Sequence, residues 1–325
     1  MKVVVTGGSG FIGRHLVARI AASGVEVVNL DIDPPAESGQ LGFWRKVSIL
    51  DRDLLAGTLR QVRPDAVIHL AARAEVEGKS LDDFRANTEG TASLLAAVRE
   101  IGGIGRLVVT SSQHVRKPGS APARNDEDYA PHGLYGESKV ITEQLTRRAA
   151  LPGHWMIIRP TAVWGPLHFQ WAEGMCRQMY RRRYFHPSHD TVVRSYGYIG
   201  NVVWQIMRIL ELPPEKTHAR TLYIGDENIP QIEWVQAFSR ALSGHEVRTL
   251  PHWFIRSLAL AGDGVRFFGL PFPIYSSRYY NLITDNPVPM DASIAVLGRG
   301  PVSLNQGVAE TVDWLLAWYK AEASK

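Results

Sequence analysis

The feature that most constrains the fold is a glycine-rich segment at residues 6–13, TGGSGFIG, which joins an apolar run to a helical pattern. The first half of the chain continues this alternation of short strand-like runs and helical patterns, which is typical of a doubly wound parallel α/β sheet. The predicted strands are Lys2–Thr6, Val25–Leu30, Ala66–Leu70, Leu107–Thr110, Trp155–Arg159 and Leu222–Gly225, and the predicted helices are Phe11–Ala22, Asp53–Gln61, Asn87–Glu100 and Tyr135–Ala150.

The spacing of these glycines points to a ligand. Gly7 permits the tight turn after the first strand, Gly10 lets the backbone approach a pyrophosphate, and Gly13 lets helix and strand pack closely. The N–H groups at the helix N-terminus then face the phosphates. Because the pattern lies between a predicted strand and a predicted helix, it predicts a Rossmann fold that binds a dinucleotide.

The choice between the two nicotinamide dinucleotides rests on Asp31, which follows the second predicted strand. A carboxylate there can accept hydrogen bonds from the adenosine ribose hydroxyls and would repel a 2′-phosphate. Asp33 adds to this negative charge. Arg14 could hold a 2′-phosphate, but we expect it to be a solvent-facing helix residue. The sequence therefore predicts NAD rather than NADP.

The strand–helix alternation decays beyond residues 165–166, Gly-Pro, and residues 213–214, Pro-Pro, mark a further boundary. We expect residues 1–165, with 197–228 returning to them, to form the Rossmann domain. Residues 166–196 and 229–325 would then build a smaller C-terminal substrate-binding lobe over the carboxyl edge of the sheet, where ligands of this fold lie.

Composition bears on several classes of partner. A formal charge of +4 is too small to indicate nucleic-acid binding, although it suits an anionic small molecule. The one cysteine, Cys176, leaves no cysteine cluster for a metal. No apolar run is long enough to span a bilayer, and the first residues do not read as a signal peptide. We therefore expect a cytoplasmic protein with no metal, no nucleic acid and no membrane partner.

A second motif concerns catalysis. Tyr135 and Lys139 stand four residues apart, on one face of a predicted helix. A phenol ionises at about pH 10, which is too high for a base at neutral pH. We expect the positive charge of the nearby Lys139 ammonium to lower the pKa of Tyr135. Ser112 follows the predicted strand Leu107–Thr110, and its hydroxyl can hydrogen-bond a substrate oxygen beside Tyr135. These three residues predict Tyr/Lys-assisted hydride chemistry.

Further motifs occur in an order that resembles the extended short-chain dehydrogenase/reductase superfamily along nearly the whole chain. Within the superfamily, the segment VRSYGYIGNV at 193–202 makes the chain similar to the NAD-dependent nucleotide-sugar epimerase/dehydratase branch. The motifs are TGGSGFIG at 6–13, HLAA at 69–72, NTEGT at 87–91, TSS at 110–112, YGESK at 135–139 and RPTAVWGP at 159–166.

The resemblance implies roles for the matching residues. Ser112, Tyr135 and Lys139 would form the catalytic triad. Arg194 would contact the substrate diphosphate, with Ser112 and Tyr135 beside the reacting sugar. The expected cofactor-binding residues, Asp31 included, are Gly7, Gly10, Phe11, Ile12, Gly13, Asp31, Ser48, Ile49, Leu70, Ala71, Ala72, Asn87, Thr110, Tyr135, Lys139, Pro160 and Val163.

The chain also departs from the pattern of this branch. Ser48 stands where an acidic residue often lies near the adenine, and Ala162 stands where a substrate-binding asparagine is common. The Thr-Asp-Glu triplet of 4,6-dehydratases is replaced by Ser112, Gln113 and His114. The two carboxylates that eliminate water are therefore missing, so we do not expect dehydratase activity.

The resemblance favours an NAD-dependent epimerase that acts at C4 of a nucleotide diphosphate sugar by transient hydride transfer to NAD. A nucleotide-linked 4-keto-sugar reductase, or a sugar or sterol alcohol dehydrogenase, would use the same three residues. A nucleotide-sensing protein without turnover is disfavoured, because a sensor needs no activated phenol. We expect His114 and His168 to be structural, with an acid/base role as the alternative.

The resemblance also implies a homodimer, because relatives pair two helices across a two-fold axis. Those helices correspond here to Asn87–Glu100 and Tyr135–Ala150. We expect them to carry more apolar side chains than one sheet face can bury. The positions concerned are Leu94, Leu95, Val98, Ile141 and Leu145.

Overall fold

The computed structural model describes residues 1–187, 192–270 and 272–324. The chain divides into two units. The first unit comprises Met1–Val163, Ile199–Asp226 and Pro289–Pro301, and the second unit comprises Trp164–Tyr198, Glu227–Val288 and Val302–Lys325. In the described part of the chain, no helix combines the length and the apolar character needed to cross a bilayer.

Strands and helices are numbered along the chain. The strands are β1 (Lys2–Thr6), β2 (Glu26–Asp31), β3 (Trp44–Lys46), β4 (Ala66–His69), β5 (Arg106–Thr110), β6 (His154–Pro160), β7 (Ala162–Trp164), β8 (Phe185–Pro187), β9 (Val193–Tyr198), β10 (Thr221–Ile224), β11 (Asn228–Pro230) and β12 (Arg248–Leu250). The helices are α1 (Phe11–Ala22), α2 (Arg52–Val62), α3 (Thr91–Ile101), α4 (Gly133–Arg148), α5 (Phe169–Trp171), α6 (Arg177–Tyr180), α7 (Ile199–Glu211), α8 (Gln231–Ser243), α9 (His252–Phe267), α10 (Ser276–Ile283), α11 (Asp291–Leu297) and α12 (Leu304–Ala323).

A parallel sheet of seven strands forms the centre of the first unit, in the order β3-β2-β1-β4-β5-β6-β10. Val3, Val4 and Val5 of β1 are fully buried, as expected of a central strand in a parallel sheet covered on both faces. The strand order reverses between β1 and β4, and ligands of doubly wound sheets lie at the carboxyl ends of the strands there. The predicted Rossmann fold class is confirmed.

The helices of the first unit bury narrow apolar stripes against this sheet. On α1 the buried positions Gly13, Leu16, Val17 and Ile20 recur at helical spacing. Asp51 is the N-cap residue of α2, because its carboxylate accepts a hydrogen bond from the backbone nitrogen of Leu54 at 3.1 Å.

One premise of the predicted homodimer was wrong. Leu94, Leu95 and Val98 of α3 are buried in the hydrophobic core of the first unit, so they are not surplus apolar surface. The reason is that α3 turns these side chains towards the sheet, where they pack with Leu107 and Val109 of β5. The homodimer itself stays a prediction.

Aromatic packing holds the second unit together. The rings of Trp234 and Tyr196 stack with centroids 5.0 Å apart, and Phe238 lies 4.3 Å from Trp234. Trp164 meets Trp234 edge-on at 5.8 Å. Around this core, β9 pairs antiparallel with β11, and β8 pairs parallel with β12. Large rings thus supply a core where the strands are short.

The division into units differs from the predicted domains in one segment. The prediction places all of 229–325 in the C-terminal lobe, whereas Pro289–Pro301 belongs to the first unit. The physical reason is that α11 contacts α7 and β10 and buries Leu297. A helix of seven residues is too short for its sequence pattern to reveal which unit its apolar side covers.

Candidate active site

The glycine-rich loop between β1 and α1 is built for close backbone packing. Gly7 adopts a φ of 73°, a left-handed conformation that strains residues with a side chain. A Cβ atom at Gly7 would lie 2.5 Å from the backbone nitrogen of Ala71, and one at Gly13 would lie 2.2 Å from the carbonyl oxygen of Gly7. Gly10 occupies the N-cap of α1, so no side chain separates the helix N-terminus from a ligand. This geometry suits a pyrophosphate.

Asp31 ends β2 beside this loop. Its carboxylate accepts hydrogen bonds from the backbone nitrogens of Ser9 at 3.0 Å and Asp33 at 3.2 Å. Arg14 lies 3.2 Å from a carboxylate oxygen of Glu37 and donates to the carbonyl oxygen of Ser9 at 3.1 Å. The expectation of a solvent-facing Arg14 was therefore wrong, because the loop after β2 brings Glu37 to it. The charge of Arg14 is already paired, which favours Asp31 as the group that meets the ribose.

The carboxyl end of β4 is joined to β1 and α3 through His69. Its Nδ1 lies 2.7 Å from Thr6 Oγ1, and its Nε2 lies 3.1 Å from Thr91 Oγ1. Burial, with a contribution from the charge of Lys139, lowers the pKa of His69 to about 3, so the ring is a neutral structural bridge. Three expected cofactor-lining residues follow directly and are half-buried: Leu70, Ala71 and Ala72.

Asn87 lies in a π-helical turn, Ala86–Gly90, that leads into α3. Its side-chain oxygen accepts a hydrogen bond from the backbone nitrogen of Arg73 at 2.8 Å. Its Nδ2 donates to the carbonyl oxygen of Arg73 at 3.1 Å and to Ser138 Oγ at 2.9 Å. Protein partners thus occupy this amide, and Asn87 ties the loop after β4 to α4.

Ser112, Tyr135 and Lys139 meet at the carboxyl end of β5. The last two lie one turn apart on α4, and all three are buried. The phenol of Tyr135 forms a hydrogen bond with the hydroxyl of Ser112. Lys139 Nζ donates to the carbonyl oxygen of Thr110 at 3.0 Å and lies 6.0 Å from the centroid of the Tyr135 ring. The structure therefore brings the three expected catalytic residues together within one unit.

The ionisation of this group differs from the expectation. Burial raises the pKa of Tyr135, and the hydrogen bond with Ser112 lowers it in part. Burial also lowers the pKa of Lys139 to about 8, against the opposing charge of Glu143. The lowering influence on Tyr135 thus comes from Ser112 and not from Lys139, because the ammonium is turned towards the carbonyl oxygen of Thr110.

Sequence reasoning missed a buried network behind these residues. Glu143 lies one turn after Lys139 on α4 and is fully buried. It accepts hydrogen bonds from Ser111 Oγ at 2.6 Å and from the hydroxyl of Tyr129 at 3.0 Å, and it pairs with Arg159 of β6. The available signal was the four-residue spacing from Lys139 to Glu143, which places both side chains on one helix face.

The two histidines singled out from the sequence lie in different units. The ring centroid of His114 is 5.5 Å from that of Tyr135, and its Nδ1 makes no hydrogen bond within the described residues. In the second unit, His168 Nδ1 accepts a hydrogen bond from the backbone nitrogen of Trp171 at 3.4 Å, at the start of α5. Burial lowers the pKa of each ring to about 4, so both are uncharged at neutral pH.

The remaining cofactor candidates also lie in the first unit. Ser48 Oγ accepts a hydrogen bond from the backbone nitrogen of Leu50 at 3.2 Å. Ile49 is buried against Gly90. A Cβ atom added at Gly90 would lie 2.5 Å from the Cδ1 atom of Ile49. Pro160 is the buried last residue of β6, and Val163 is half-buried in β7.

The residues of the first unit fit a dinucleotide. Gly10 leaves the N-terminus of α1 open to phosphate, and the Asp31 carboxylate lies at the edge of the same loop. Thr110 Oγ1 is buried at the carboxyl end of β5 and makes no hydrogen bond within the part of the chain described. A buried hydroxyl without a partner is unfavourable, so its place beside Lys139 suits a polar ligand. Among the described residues, no three His, Cys, Asp or Glu side chains are grouped to hold a metal ion.

Arg194, the expected phosphate ligand, lies on β9 of the second unit. One terminal guanidinium nitrogen donates to the carbonyl oxygen of Thr284 at 3.2 Å. Its Nε is buried and makes no hydrogen bond in residues 1–187, 192–270 and 272–324. Burial lowers the pKa of Arg194, and the nearby Tyr196 and Asp285 oppose this shift. One guanidinium donor of Arg194, the buried Nε, is thus left without a partner in the described part of the chain.

Comparisons with known proteins agree on this fold. The model of the NAD dependent epimerase/dehydratase family matches residues 3–225. A UDP-glucose 4-epimerase of Azospirillum brasilense is 34% identical over 163 residues, which cover 46% of this chain and 44% of that protein. The chain thus matches about half the length of that relative.

Two further proteins match over most of their length. A 3 beta-hydroxysteroid dehydrogenase/Delta 5-->4-isomerase of Vaccinia virus (strain Western Reserve) is 28% identical over 292 residues, 80% of this chain and 82% of that protein. The solved UDP-glucose 4-epimerase of Thermus thermophilus, in complex with NAD, has a TM-score of 0.73 at 23% identity, over 97% of this chain and 99% of that one. This last likeness shows the fold.

Proposed function

This chain belongs to the NAD dependent epimerase/dehydratase family, and we propose that within it the protein is an epimerase acting at C4 of a nucleotide diphosphate sugar. One observation carries the proposal. The Tyr135 phenol is hydrogen-bonded to Ser112 one helical turn from Lys139, and Gln113 and His114 follow Ser112 in place of two carboxylates. The site thus has the groups for hydride chemistry without those for elimination of water.

In the proposed reaction, the cofactor carries the hydride and Tyr135 and Ser112 act on the C4 oxygen of the sugar. NAD, when bound, supplies the acceptor and later the donor of the hydride. Tyr135, in its phenolate form, would take the proton of the C4 hydroxyl as the C4–H bond breaks, and Ser112 would hydrogen-bond the same oxygen. After the 4-keto sugar has rotated to present its other face, Tyr135 would give the proton back to the same oxygen, which restores the C4 hydroxyl with inverted configuration. The cycle is redox-neutral, so it needs no second oxidant.

The diphosphate of the substrate requires a cation, because a buried phosphate without a partner is costly. Arg194 is the residue we propose for this contact. Its guanidinium is held by Thr284, and its buried Nε has no partner among the described residues, which supports a role in binding an anion. A guanidinium fork suits phosphate oxygens better than an ammonium does.

A second candidate function is a one-way dehydrogenase or reductase. It is favoured by the match to a steroid dehydrogenase/isomerase along 80% of this chain, well beyond the match to the Azospirillum epimerase. Such an enzyme would use the same Ser112, Tyr135 and Lys139 but would exchange its cofactor in each turnover. A sensor without turnover remains disfavoured, because it has no need of the buried triad. The cytoplasmic location and the homodimer stay predictions.

A substrate screen tests the proposal. Purified protein is incubated with UDP- and GDP-sugars and NAD, and both the sugar products and the absorbance of NADH are followed. Formation of a C4 epimer without accumulating NADH supports the epimerase. Stoichiometric NADH formation favours the dehydrogenase. Turnover of a sterol alcohol, with no conversion of any nucleotide sugar, contradicts the proposed substrate class.

A further inference from the structure

The loop after β5 places His114 beside the phenol of Tyr135 in the first unit. The two ring centroids lie 5.5 Å apart, and the rings meet edge to face at 73°. The backbone nitrogen of His114 donates to Ser112 Oγ at 3.1 Å, and the same hydroxyl hydrogen-bonds Tyr135. The proposed reaction uses Tyr135 and Ser112 but leaves the imidazole of His114 without a task.

Backbone contacts fix the position of His114 on two sides. Its carbonyl oxygen accepts a hydrogen bond from the backbone nitrogen of His132 at 2.9 Å. A Cβ atom at Gly136 would lie 2.4 Å from the same oxygen, so the loop packs against α4 more closely than a side chain there would allow. His114 is therefore held against the first turn of α4, the turn that carries Tyr135.

The imidazole of His114 has a nitrogen without a partner. Its Nδ1 is buried and makes no hydrogen bond in the described part of the chain. Burial, with a contribution from His132, lowers the pKa of the ring to about 4, so the ring is uncharged at neutral pH. A neutral imidazole has one nitrogen that donates a proton and one that accepts a proton. Such a ring can take up a proton on one side and release another on the opposite side.

A second histidine lies between His114 and the surface. The ring centroids of His114 and His132 are 5.6 Å apart. Ring nitrogens at such a separation are within reach of each other, directly or through one bridging water. His132 is the half-buried N-cap residue of α4 and is followed by the exposed Gly133. Burial and the charge of Lys117 lower the pKa of His132, which favours its neutral form.

The phenol of Tyr135 needs a route for its proton. Burial raises the pKa of Tyr135, so the phenol holds its proton at neutral pH and must lose it before it can act as a base. Lys139 is buried and turned towards the carbonyl oxygen of Thr110, and Ser112 is buried as well. Neither of these neighbours reaches solvent, whereas His132 does.

We propose that His114 and His132 form a proton relay between the phenol of Tyr135 and solvent. The relay rests on the proposed role of Tyr135 as the base, and it acts through Tyr135 without touching the sugar. The phenolic O–H bond breaks and its proton joins one nitrogen of His114. The proton on the other nitrogen of His114 passes to His132 and from there to water. The reverse transfer restores the phenol, and no electron is transferred in either direction.

Exchange of the Tyr135 hydroxyl proton with water tests the relay without any substrate. The protein is labelled at the tyrosine ζ carbon, bound to NAD, and studied by NMR in a mixture of normal and deuterated water. A slowly exchanging hydroxyl gives two ζ-carbon signals, and a rapidly exchanging one gives a single averaged signal. Tyr135→Phe identifies the signal. We expect one signal in the wild type and two in His114→Phe, because phenylalanine fills the place of the ring and carries no proton.

His132→Gln should also give two signals, because the outer ring is lost. A single signal in either variant would overturn the relay, as would two signals in the wild type. The matched control is His154→Ala, which removes another half-buried histidine of the first unit, at the start of β6 and 5.0 Å from the ring of His218. This control should keep the single signal of the wild type.

Chemical rescue tests the relay during turnover of a nucleotide sugar. His114→Ala should lower kcat by about 100-fold, the effect expected of a lost proton transfer, and should leave KM near that of the wild type. Added imidazole should restore part of the rate, and pyrazole, a weaker base of similar size, should restore less. Equal rescue by both bases, or none by imidazole, would assign His114 a structural role and overturn the relay. A wild type that converts no nucleotide sugar would contradict the proposed function alone, because the exchange experiment still decides on the relay.

Discussion

Glu143 and Arg159 form a fully buried ion pair in which two guanidinium nitrogens, Nε and Nη2, each lie 2.8 Å from a different carboxylate oxygen. The pair connects α4 to β6, and Ser111 at the end of β5 donates to the same carboxylate. The helix that carries Tyr135 is therefore anchored to two neighbouring strands of the sheet. Position and ionisation in the active site depend on this one carboxylate.

We predict that Glu143→Gln shifts the pH dependence of turnover. The Glu143 carboxylate favours the charged form of Lys139, whose pKa burial lowers to about 8. The wild-type rate should fall as pH rises through about 8, as Lys139 loses its proton. Without Glu143, and with Arg159 left uncompensated, this fall should begin about one unit lower. The pH profile of kcat measures it.

The same substitution should lower the free energy of unfolding by about 3–5 kcal/mol, because it leaves the buried Arg159 and the nearby Arg147 without their carboxylate. Glu137→Gln is the matched control, since Glu137 is an exposed carboxylate on the same helix. An unchanged alkaline limb in Glu143→Gln, with the expected loss in stability, would mean that the pair is structural only.

Tyr135→Phe should reduce turnover by about 100-fold or more, the range usual for a general acid/base. The change removes the phenolic proton carrier and little volume, so NAD binding and the melting temperature should stay near those of the wild type. Steady-state kinetics and a direct NAD titration measure the two effects. Turnover close to the wild type would remove Tyr135 from the mechanism.

The protein should bind NAD more tightly than NADP. The Asp31 carboxylate lies beside the glycine loop, and Glu37 already pairs with Arg14, the cation that could have held a 2′-phosphate. Asp31→Ala should weaken NAD binding by about tenfold, because it removes a charged hydrogen-bond acceptor. Asp33→Ala is the control with a smaller effect. Tighter binding of NADP by the wild type would contradict this assignment.

Arg194→Ala should weaken binding of the nucleotide sugar by about 2–5 kcal/mol, because it leaves a phosphate unpaired. Binding of NAD should be spared, since its pyrophosphate is expected at the glycine loop of the first unit. Two titrations decide the matter, one with a UDP- or GDP-sugar and one with NAD. Equal loss of both ligands would indicate a structural role for Arg194.

We predict that the protein sediments as a homodimer at micromolar concentration, with an interface formed by α3 and α4. A shallow apolar groove between these helices is lined by Ala92, Leu95, Ala96 and Leu145, with arginines at its rim. Ala96→Arg should shift the species to monomer, since a two-fold contact places the added charge in the interface twice. Ala321→Arg on α12 should change nothing. A monomeric wild type would refute the prediction.

Local patterns in the sequence were sufficient for six of the seven strands of the sheet and for the catalytic helix, whereas the three-residue strand β3 was missed. The bounds of β1 and α1 match the prediction residue for residue, since valine runs and helical spacing act locally. The environment of Arg14 could not be predicted, because Glu37 reaches it through a loop of irregular path. The raised pKa of Tyr135 likewise depends on burial under distant segments such as Phe84.

The position of α11 has a consequence for synthesis of the chain. This helix packs on α7 and β10 of the first unit, yet it is encoded after most of the second unit. As the polypeptide leaves the ribosome, α7 and β10 lack their contacts with α11 until the intervening residues have been synthesised. The first unit therefore cannot reach its final packing early in translation, although its glycine loop is made first. A nascent chain stalled before residue 289 would contain all seven strands of the sheet but would lack α11 and the contact of Gly298 with Trp204 of α7.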